Sequence, residues 1–412
     1  MPWQETQKMD QRIEFAMRAV NCPNFTELCQ EYDISRKTGY KWLKRFEAGG
    51  LAGMKEKSRR PHGHGRELTE EVTCRRIKLK TAHPHWGPRK IRALYARKHP
   101  ELELPSESSF KRVLERAGLT KPRKRRRANQ TGRIASGRQA NAANEVWSVD
   151  FKGWWRDRSG QRVEPLTVRD EYSRMILELR AVDNARTETI RHCFERLFEQ
   201  YGLPAAIRSD NGTPFACSHG LLGLSRLSAW WLVLGIDLER GRPGCPQDNS
   251  AHERMHKDVR DELEAGRIGR DQPAFDLWRH EFNTERPHES LGMACPAEIY
   301  ESSPRSYEGT PDEIDYGGMQ TRRVHPKHGT ITYNLDTIRI SAALRGWSVG
   351  LCPRKDHLTE VWFAKLLLGH LDRETGSFAP VIPSPGEAAT GASADSATLR
   401  RPKRQSHPKN KS

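Results

Sequence analysis

VWSVDF, at residues 146–151, is a short apolar strand that carries a carboxylate at Asp150. A second strand, AAIRSD at 205–210, ends in another carboxylate, Asp210. The pattern between them predicts strands near 164–168 and 175–182 and a helix over 187–201. This order of elements indicates an α/β sheet with helices packed on it. Active groups in such sheets gather at strand ends, so both aspartates are candidate functional residues.

A third carboxylate, Glu253, lies on a helix that is predicted to begin near residue 250, after a loop rich in Gly and Pro. Lys257 and Arg260 follow it at i+4 and i+7, on the same helix face. This arrangement favours a site where the carboxylate holds a metal ion and the two cations hold a phosphate backbone. Asp248 precedes the helix and remains an alternative third acid.

The charge of the 412-residue chain is concentrated at its N-terminal end. The first 140 residues carry 33 Lys and Arg against 15 Asp and Glu, whereas the other 272 carry 37 against 38. All of the excess behind the formal net charge of +17 therefore lies in the first third. Such asymmetry is typical of a nucleic-acid-binding region joined to a region with another task.

Two helical units make up most of this basic region. Residues 1–57 predict a helix, a short second helix, a turn and a basic third helix capped by Ser35, which is the order of a helix-turn-helix domain. Residues 66–120 predict a second helix-turn-helix-like unit, whose last helix is capped by Ser106. DNA contacts are expected from Arg36, Lys37, Lys41, Lys44, Arg45, Arg89, Lys90, Lys111 and Arg112. A three-helix bundle without a DNA role would show the same helix order.

Segments with other patterns connect and follow these units. Residues 121–143 are a basic linker whose first seven residues include six basic ones, enough to contact several phosphates. We expect DNA contacts there from Lys121, Arg123, Lys124, Arg125, Arg126 and Arg127. Short alternating strands at 318–378 predict a small β-barrel-like domain that binds DNA or a partner, or only stabilises the chain. Residues 379–412, rich in Pro, Ala, Ser and Gly and then basic, predict a disordered tail.

Composition excludes several other classes of protein. No apolar run approaches the roughly 20 residues that span a bilayer, and the polar N-terminus is not a signal peptide, so a soluble chain is expected. The eight cysteines are scattered singly, which fits a reducing cytoplasm and not a disulfide scaffold. A zinc site at His62, His64, His83 and His85 with Cys74 lacks the cysteine pair of a zinc finger, so loop histidines are the preferred interpretation.

Five motifs follow one another in a fixed order between residues 144 and 300. They are WSVD at 147–150, DxYSR at 170–174, SDNGxPF at 209–215, PGxPQDNxxxER at 243–254 and NxxRPHxxL at 283–291, followed by Pro296. In these motifs the chain resembles the integrase-core (DDE) transposases of bacterial insertion sequences, relatives of retroviral integrases. The resemblance implies a ribonuclease-H-like core over 144–305, with a catalytic triad carried by Asp150, Asp210 and Glu253.

One spacing departs from the family. The second and third acids of the family are usually closer together than the 42 residues that separate Asp210 from Glu253 here. The extra length is assigned to 219–234, where Trp230 and Trp231 lie. Helical apolar spacing in this stretch predicts core or a subunit contact, and not a catalytic role.

The resemblance also implies a function. It is a DNA transposase that binds the terminal inverted repeats of a mobile element, cleaves at the element ends and joins the 3′-hydroxyl to target DNA. Two divalent ions about 4 Å apart can activate the attacker and stabilise the leaving oxygen, and hard carboxylate ligands select Mg²⁺ or Mn²⁺. Lys257 and Arg260 would position phosphates.

Partners and alternatives follow from the same reasoning. Double-stranded DNA and further copies of this chain, in a synaptic homo-oligomer, are the expected partners, and no membrane is expected. The expected location is the bacterial cytoplasm, at the nucleoid. A non-catalytic DNA-binding regulator and a nuclease that only hydrolyses remain alternative functions.

Overall fold

A computed structural model describes most of the chain. The described residues are 8–56, 69–120, 137–157, 159–242, 250–263, 271–354 and 356–381. The chain divides into two compact units, residues 1–70 and 71–412. The basic run at 121–127, the alternative acid Asp248, the pair His62 and His64, and the tail from 382 onward lie outside the described residues.

The first unit is a small helical bundle. Its helices are α1 (Lys8–Ala19), α2 (Phe25–Glu31) and α3 (Arg36–Gly49), followed by a 3₁₀ turn at Gly50–Met54. Ser35 caps α3, as the sequence predicts, because its side chain accepts a hydrogen bond from the Thr38 N–H at 3.3 Å. A Cβ at Gly39 would lie 2.7 Å from the Cys29 Sγ. Glycine therefore permits the close crossing of α2 and α3 that forms the helix-turn-helix corner.

A second set of three helices opens the larger unit. They are α4 (Glu70–Ala82), α5 (Pro88–Lys98) and α6 (Glu107–Arg116). Pro88 begins α5, where its missing N–H removes no intrahelical bond. Ser106 caps α6 by accepting from the Ser109 N–H at 3.3 Å, as predicted. The small shared core consists of Trp86, Ile91, Leu94, Tyr95 and Phe110.

A mixed six-stranded sheet forms the centre of the larger unit. Its strands are β1 (Val146–Phe151), β2 (Trp155–Arg156), β3 (Arg162–Asp170), β4 (Ile176–Val182), β5 (Ala206–Ser209) and β6 (Asp237–Arg240). The order is β2-β3-β1-β5-β6, with β4 paired to β3. β1, β5 and β6 run parallel, whereas β3 is antiparallel to β1 and β4. β1, β4 and β5 therefore end at the same edge of the sheet.

Helices cover both faces of this sheet. They are α7 (Thr187–Tyr201), α8 (Arg226–Val233), α9 (Ser250–Leu263), α10 (Gln272–Thr284) and the short α11 (Pro296–Ile299). α7 and α8 pack on one face, and Trp230 and Trp231 of α8 are buried in that core, as the apolar spacing predicts. Among the described helices, none is both long and apolar enough to cross a lipid bilayer.

The two faces of β1 have different neighbours. Trp147 and Val149 belong to the core beneath α7 and α8. α9 and α10 form a separate core with residues of β3 and β4 on the opposite face. Because side chains alternate along a strand, Ser148 and Asp150 lie on the α9 face. This alternation brings one predicted acid onto the face that the Glu253 helix covers.

The C-terminal strands form an open sheet and a hairpin. They are β7 (Gln320–Arg323), β8 (Thr330–Tyr333), β9 (Asp336–Arg339), β10 (Ser348–Pro353), β11 (Leu358–Phe363), β12 (Leu366–Asp372) and β13 (Phe378–Pro380). Five pair in the order β13-β12-β11-β10-β7, and β8 pairs with β9 alone. The described strands do not close into the predicted barrel, because β7 and β13 are edges that do not pair with each other. Strand alternation in a sequence predicts a sheet, but closure depends on this pairing.

Candidate active site and nucleic-acid interface

The register between β1 and β5 brings two predicted acids to neighbouring positions. The parallel pairing aligns Val146 with Ala206 and Ser148 with Arg208. Continued by two residues, the same register takes Asp150 to Asp210. Neighbouring strands lie about 4.8 Å apart and aligned residues of a parallel pair face the same side. Asp150, near the end of β1, and Asp210, directly after β5, therefore lie at the same edge of the sheet.

Asp210 begins a tight turn at the end of β5. Its Oδ1 accepts a hydrogen bond from the Gly212 N–H at 3.1 Å. A Cβ at Gly212 would lie 2.9 Å from the Asp210 Oδ2, so glycine leaves the carboxylate room at this position. Asp210 is exposed and Asp150 is half-buried. Both carboxylates are therefore open to a ligand from solvent.

His252 fastens the first turn of α9 to two strands. This fully buried imidazole lies with Nδ1 at 3.0 Å from the Ser148 Oγ on β1 and Nε2 at 2.5 Å from the Thr167 Oγ1 on β3. Burial holds the His252 pKa well below its usual range, so the ring is neutral. The Thr167 hydroxyl donates to the Asp150 carbonyl at 2.9 Å. We therefore assign the His252 proton to Nε2, which donates to Thr167.

His256, one turn later, extends this network to Asp150. Its Nε2 lies 2.8 Å from the Thr167 Oγ1, and its Nδ1 lies 4.0 Å from the Asp150 Oδ2. Burial and then the nearby Lys152 and Arg169 lower the His256 pKa to about 3. The ring is therefore neutral at pH 7, and its proximity to Asp150 is not an ion pair. The contact instead fixes α9 beside the carboxylate.

Glu253 occupies the first turn of α9, between these two histidines. Its side chain is exposed, as are those of Lys257 and Arg260 on the same helix. His252 and His256, which flank Glu253, contact Ser148 of β1 and Thr167 of β3. The helix of Glu253 is therefore fixed beside the strand that carries Asp150. Within the part of the chain that the structure describes, no three His, Cys, Asp or Glu side chains are arranged as a metal site.

The far end of α9 is held by a buried arginine. Arg286, which is 5% exposed, places Nη2 at 2.8 Å from the Asp258 Oδ2 and Nη1 at 3.0 Å from the Glu262 Oε1. Trp278 of α10 donates its Nε1–H to the other Glu262 oxygen at 2.7 Å. Arg286 of the RPH motif at 286–288 thus has a structural role in positioning α9.

Asp170 has a different role from the acids at the sheet edge. It is fully buried at the opposite end of β3, and its Oδ2 accepts from the N–H and the hydroxyl of Ser173 at 2.8 and 2.6 Å. Its Oδ1 accepts from the Asn144 N–H at 2.8 Å. Burial raises the Asp170 pKa. This residue shapes the turn of the DxYSR motif and does not belong to the candidate site.

The basic residues predicted to contact DNA in the first unit lie along α3. All but Arg45 are exposed, and Arg45 is half-buried with its guanidinium 5.0 Å from the centre of the Trp42 ring. Lys41 also lies over this ring, at 5.1 Å. Exposed members of the set are Arg36, Lys37, Lys41 and Lys44. The surface of α3 is therefore available to a polyanion, and its assignment to DNA stays a prediction.

The basic residues of the second helical set are placed differently. Arg89 lies 2.6 Å from Glu107 and 3.5 Å from Glu289. Lys90 faces Arg286, Asp258, Glu262 and Glu289, and burial is the main cause that lowers its pKa to about 8. Lys111 and Arg112 of α6 remain exposed.

Residues 83–98 form a charged contact with the core, which we term the docking seam. His83 lies 2.8 Å from Glu281, Lys98 lies 3.7 Å from Glu285, and the Arg97 Nη2 lies 2.8 Å from Glu298. His83 also stacks on Trp86. Cations of α5 thus meet acids of the core, which the sequence pattern did not indicate.

Sequence reasoning missed His252, His256 and Thr167. The two histidines lie at i and i+4 on α9, which is the spacing of one helix face, and they flank Glu253. Thr167 lies three residues before Asp170 on a strand pattern that was already recognised. The spacing of the histidines was therefore a usable signal, whereas the partner strands became known only from the structure.

Comparisons with protein families agree with this geometry. Residues 140–246 and 234–296 match the family described as "Integrase core domain". Residues 38–114 match a "Homeodomain-like domain". The α/β region that contains the acidic edge is thus similar to integrase core domains, and the homeodomain-like match lies in the helices that precede it.

Two curated relatives come from insertion elements. The "Insertion element IS476 uncharacterized 39.2 kDa protein" of Xanthomonas euvesicatoria is 28% identical over 275 residues, which cover 65% of this chain and 75% of the relative. The "Insertion element IS407 uncharacterized 31.7 kDa protein" of Burkholderia multivorans is 25% identical over 236 residues, which cover 56% and 80%. Both relatives are insertion-element proteins, and the core-domain matches together span residues 140–296 of this chain.

Two solved structures share part of the backbone arrangement at low scores. The HTLV-2 integrase catalytic core domain, solved in complex with magnesium, covers 40% of this chain and 100% of its own at 13% identity and a TM-score of 0.31. The simian T-cell lymphotropic virus intasome, solved with PP2A regulatory subunit B56 gamma, covers 69% and 91% at 11% identity and a TM-score of 0.37.

Proposed function

We propose that this chain is a DNA transposase that binds the terminal inverted repeats of a mobile element, cleaves there and joins the 3′-hydroxyl to target DNA. The observation that carries this proposal is the parallel pairing of β1 with β5, which supports a shared position for Asp150 and Asp210 at one sheet edge. Glu253 is the proposed third acid, because His252 holds its helix against β1 and β3. The register depends on the backbone and does not rest on the family resemblance.

The donor chemistry of these acids fits Mg²⁺ or Mn²⁺, which favour carboxylate oxygens. Asp150, Asp210 and Glu253 are the residues that would hold two such ions. When bound, divalent ions supply the positive charge that activates an attacking oxygen and stabilises a leaving one. The neutral His252 and His256 contribute position, since they fix α9 without adding charge at this edge.

DNA contacts are assigned to surfaces outside the acid edge. Residues 1–57 and 66–120 are the proposed end-binding domains, 121–143 the basic linker, and 144–305 the catalytic core. Lys257 and Arg260, exposed on α9, would orient phosphates near Glu253. The C-terminal sheet within 318–378 contacts DNA or a partner subunit in this proposal, and a synaptic homo-oligomer acts at the bacterial nucleoid.

The test uses duplexes that carry the inverted repeats flanking the gene. Asp150→Asn, Asp210→Asn and Glu253→Gln should each abolish Mg²⁺-dependent cleavage and strand transfer, because each removes a charged oxygen ligand. Each should leave specific end binding, measured by fluorescence anisotropy, unchanged. Asp276→Asn is the matched control, because this exposed α10 side chain lies outside the candidate site. Substantial turnover in any of the three acid variants would refute that assignment.

Product analysis separates the alternative functions. A duplex with a free 3′-hydroxyl should yield joined products with the wild-type chain. Cleavage without joined products would identify a nuclease that only hydrolyses. Specific end binding without metal-dependent cleavage would identify a regulator.

A further inference from the structure

A small cleft lined by three arginines lies between the catalytic core and the C-terminal strands. Its volume is about 100 Å³, a few times the ~30 Å³ that one water molecule occupies in the liquid. Arg191 of α7, Arg226 of α8 and Arg345, just before β10, line it together with Trp230 and Trp347. These dimensions leave room for a group of phosphate size.

Arg191 is held in place from several sides. Its Nε donates to the Glu195 Oε1 at 3.0 Å and its Nη2 to the Thr310 Oγ1 at 3.0 Å. The guanidinium lies 4.8 Å from the centre of the Trp230 ring, and the Trp230 Nε1 donates to the same Thr310 hydroxyl at 2.8 Å. An arginine fixed in this way loses little side-chain entropy when it binds an anion.

The other two arginines are less constrained. Arg226 lies 3.6 Å from Glu188, but both side chains are largely exposed, at 66% and 74%, so this pair contributes little. Arg345 is exposed and makes no ion pair with any residue that the structure describes. The three arginines outnumber the two carboxylates that contact them, Glu188 and Glu195. The cleft therefore keeps an excess of positive charge.

The cleft lies near the same sheet edge as the candidate active site, on the face covered by α7 and α8, opposite the face that carries Asp150. β4 and β1 are both antiparallel to β3, so the end of β4 and the end of β1 share this edge. α7 begins at Thr187, five residues after β4 ends at Val182. The N–H groups of the first turn of α7 add partial positive charge here, where no side chain caps the helix.

We propose that the arginine cleft binds one backbone phosphate of the DNA duplex that is processed at Asp150 and Asp210. Arginine suits this task because its planar fork can donate two hydrogen bonds to phosphate oxygens. The cleft joins residues of the core to Arg345 of the C-terminal region, so one phosphate contact engages both. This assignment rests on the proposed transposase function, because it requires DNA at this edge.

Salt-dependent binding tests the cleft without catalysis. Binding of the full chain to an end-containing duplex is measured by anisotropy in metal-free buffer across a series of salt concentrations. The slope of log affinity against log salt is negative, and Arg345→Ala should reduce its magnitude by about 0.9, the effect of one lost phosphate contact. Arg162→Ala is the matched control, because this exposed arginine of β3 pairs with Glu164 and is assigned to no DNA contact. It should leave the slope unchanged.

Duplexes in which one phosphate is replaced by an uncharged group locate the phosphate that the cleft contacts. Duplexes that each carry one methylphosphonate in place of a phosphate are scanned against wild type and Arg345→Ala. At one position, the methylphosphonate should weaken DNA binding by the wild-type chain and have no further effect on binding by Arg345→Ala. The two changes remove the same interaction there. Equal salt slopes for Arg345→Ala and wild type, or additive effects at every position, would overturn the cleft assignment.

The result is distinguishable from failure of the proposed function. If the wild-type chain binds ends and transfers strands but Arg345→Ala has the wild-type salt slope, the cleft does not bind a phosphate. The transposase proposal would then be unaffected. Absence of specific end binding by the wild-type chain would overturn both. Because Arg345 is exposed, Arg345→Ala should keep the wild-type melting temperature.

Discussion

The two helical regions carry similar basic sequences and use them differently. On α3, most of the cations are exposed, among them Lys37 and Lys41. On α5, Arg89 meets Glu107 and Glu289, and Lys90 lies among charged residues of the core. The cations of a basic helix can thus form an exposed surface, as on α3, or one side of an internal contact, as on α5. The local sequence of α5 does not decide between them, because its acidic partners come mostly from residues near 258–298.

The largest expected effect comes from breaking the buried ion pairs behind the docking seam. Arg286→Met should lower the free energy of unfolding of the larger unit by about 3–5 kcal/mol, because it leaves Asp258 and Glu262 without their buried partner. Guanidinium chloride unfolding measures the change, and hydrogen exchange assigns each transition to its unit. The control is Arg18→Met, which removes the exposed pair with Glu31 in the first unit and should change stability far less, because solvent screens that pair. Equal losses would contradict the contrast between the regions.

The second effect concerns DNA affinity. The double variant Lys37→Ala, Lys41→Ala should reduce the magnitude of the slope of log affinity against log salt by about 1.8. Each of these exposed cations is expected to contact one phosphate. Arg89→Ala combined with Lys98→Ala should change the slope less, because Glu107, Glu285 and Glu289 already contact these cations. Anisotropy titrations at several salt concentrations provide the slopes. A larger change for the α5 pair would assign DNA binding to α5.

The smallest effect is a pH dependence of stability at His288, which faces Lys90 of the docking seam. Burial, and then Lys90 and Arg286, lower the pKa of His288 to about 2. In the unfolded chain the pKa is about 6.5, so below this pH the unfolded state takes up a proton that the folded state does not. The free energy of unfolding should therefore fall as the pH falls below 6.5, by up to about 1.4 kcal/mol per pH unit from this residue.

His288→Gln isolates this contribution. The variant removes the titrating group, so its unfolding free energy should depend less steeply on pH between about 7 and 5 than that of the wild type. Chemical unfolding at several pH values measures both slopes. His192→Gln is the control, because this exposed imidazole on α7 lies outside the seam. Identical slopes of unfolding free energy against pH for wild type and His288→Gln would show that the protonation of His288 is not coupled to folding.

Much of the local structure was predictable. Ser35 and Ser106 were identified as helix caps because their side chains can accept a hydrogen bond from an N–H in the next turn, and both do so. Trp230 and Trp231 were placed in the core from their helical spacing. The C-terminal strands were also recognised, but their arrangement was not. Whether β7 and β13 meet depends on contacts between distant segments, to which strand periodicity is insensitive.

The sequence by itself determined the order of elements, the three candidate acids and the concentration of positive charge at the N-terminal end. These properties depend on local periodicity, capping and residue chemistry. Only the tertiary structure decided that β1 and β5 pair in parallel, that His252 fastens the helix of Glu253, and that the cations of α5 face the core. Each of these depends on residues far apart in the chain, and only folding brings their side chains within hydrogen-bond or ion-pair distance.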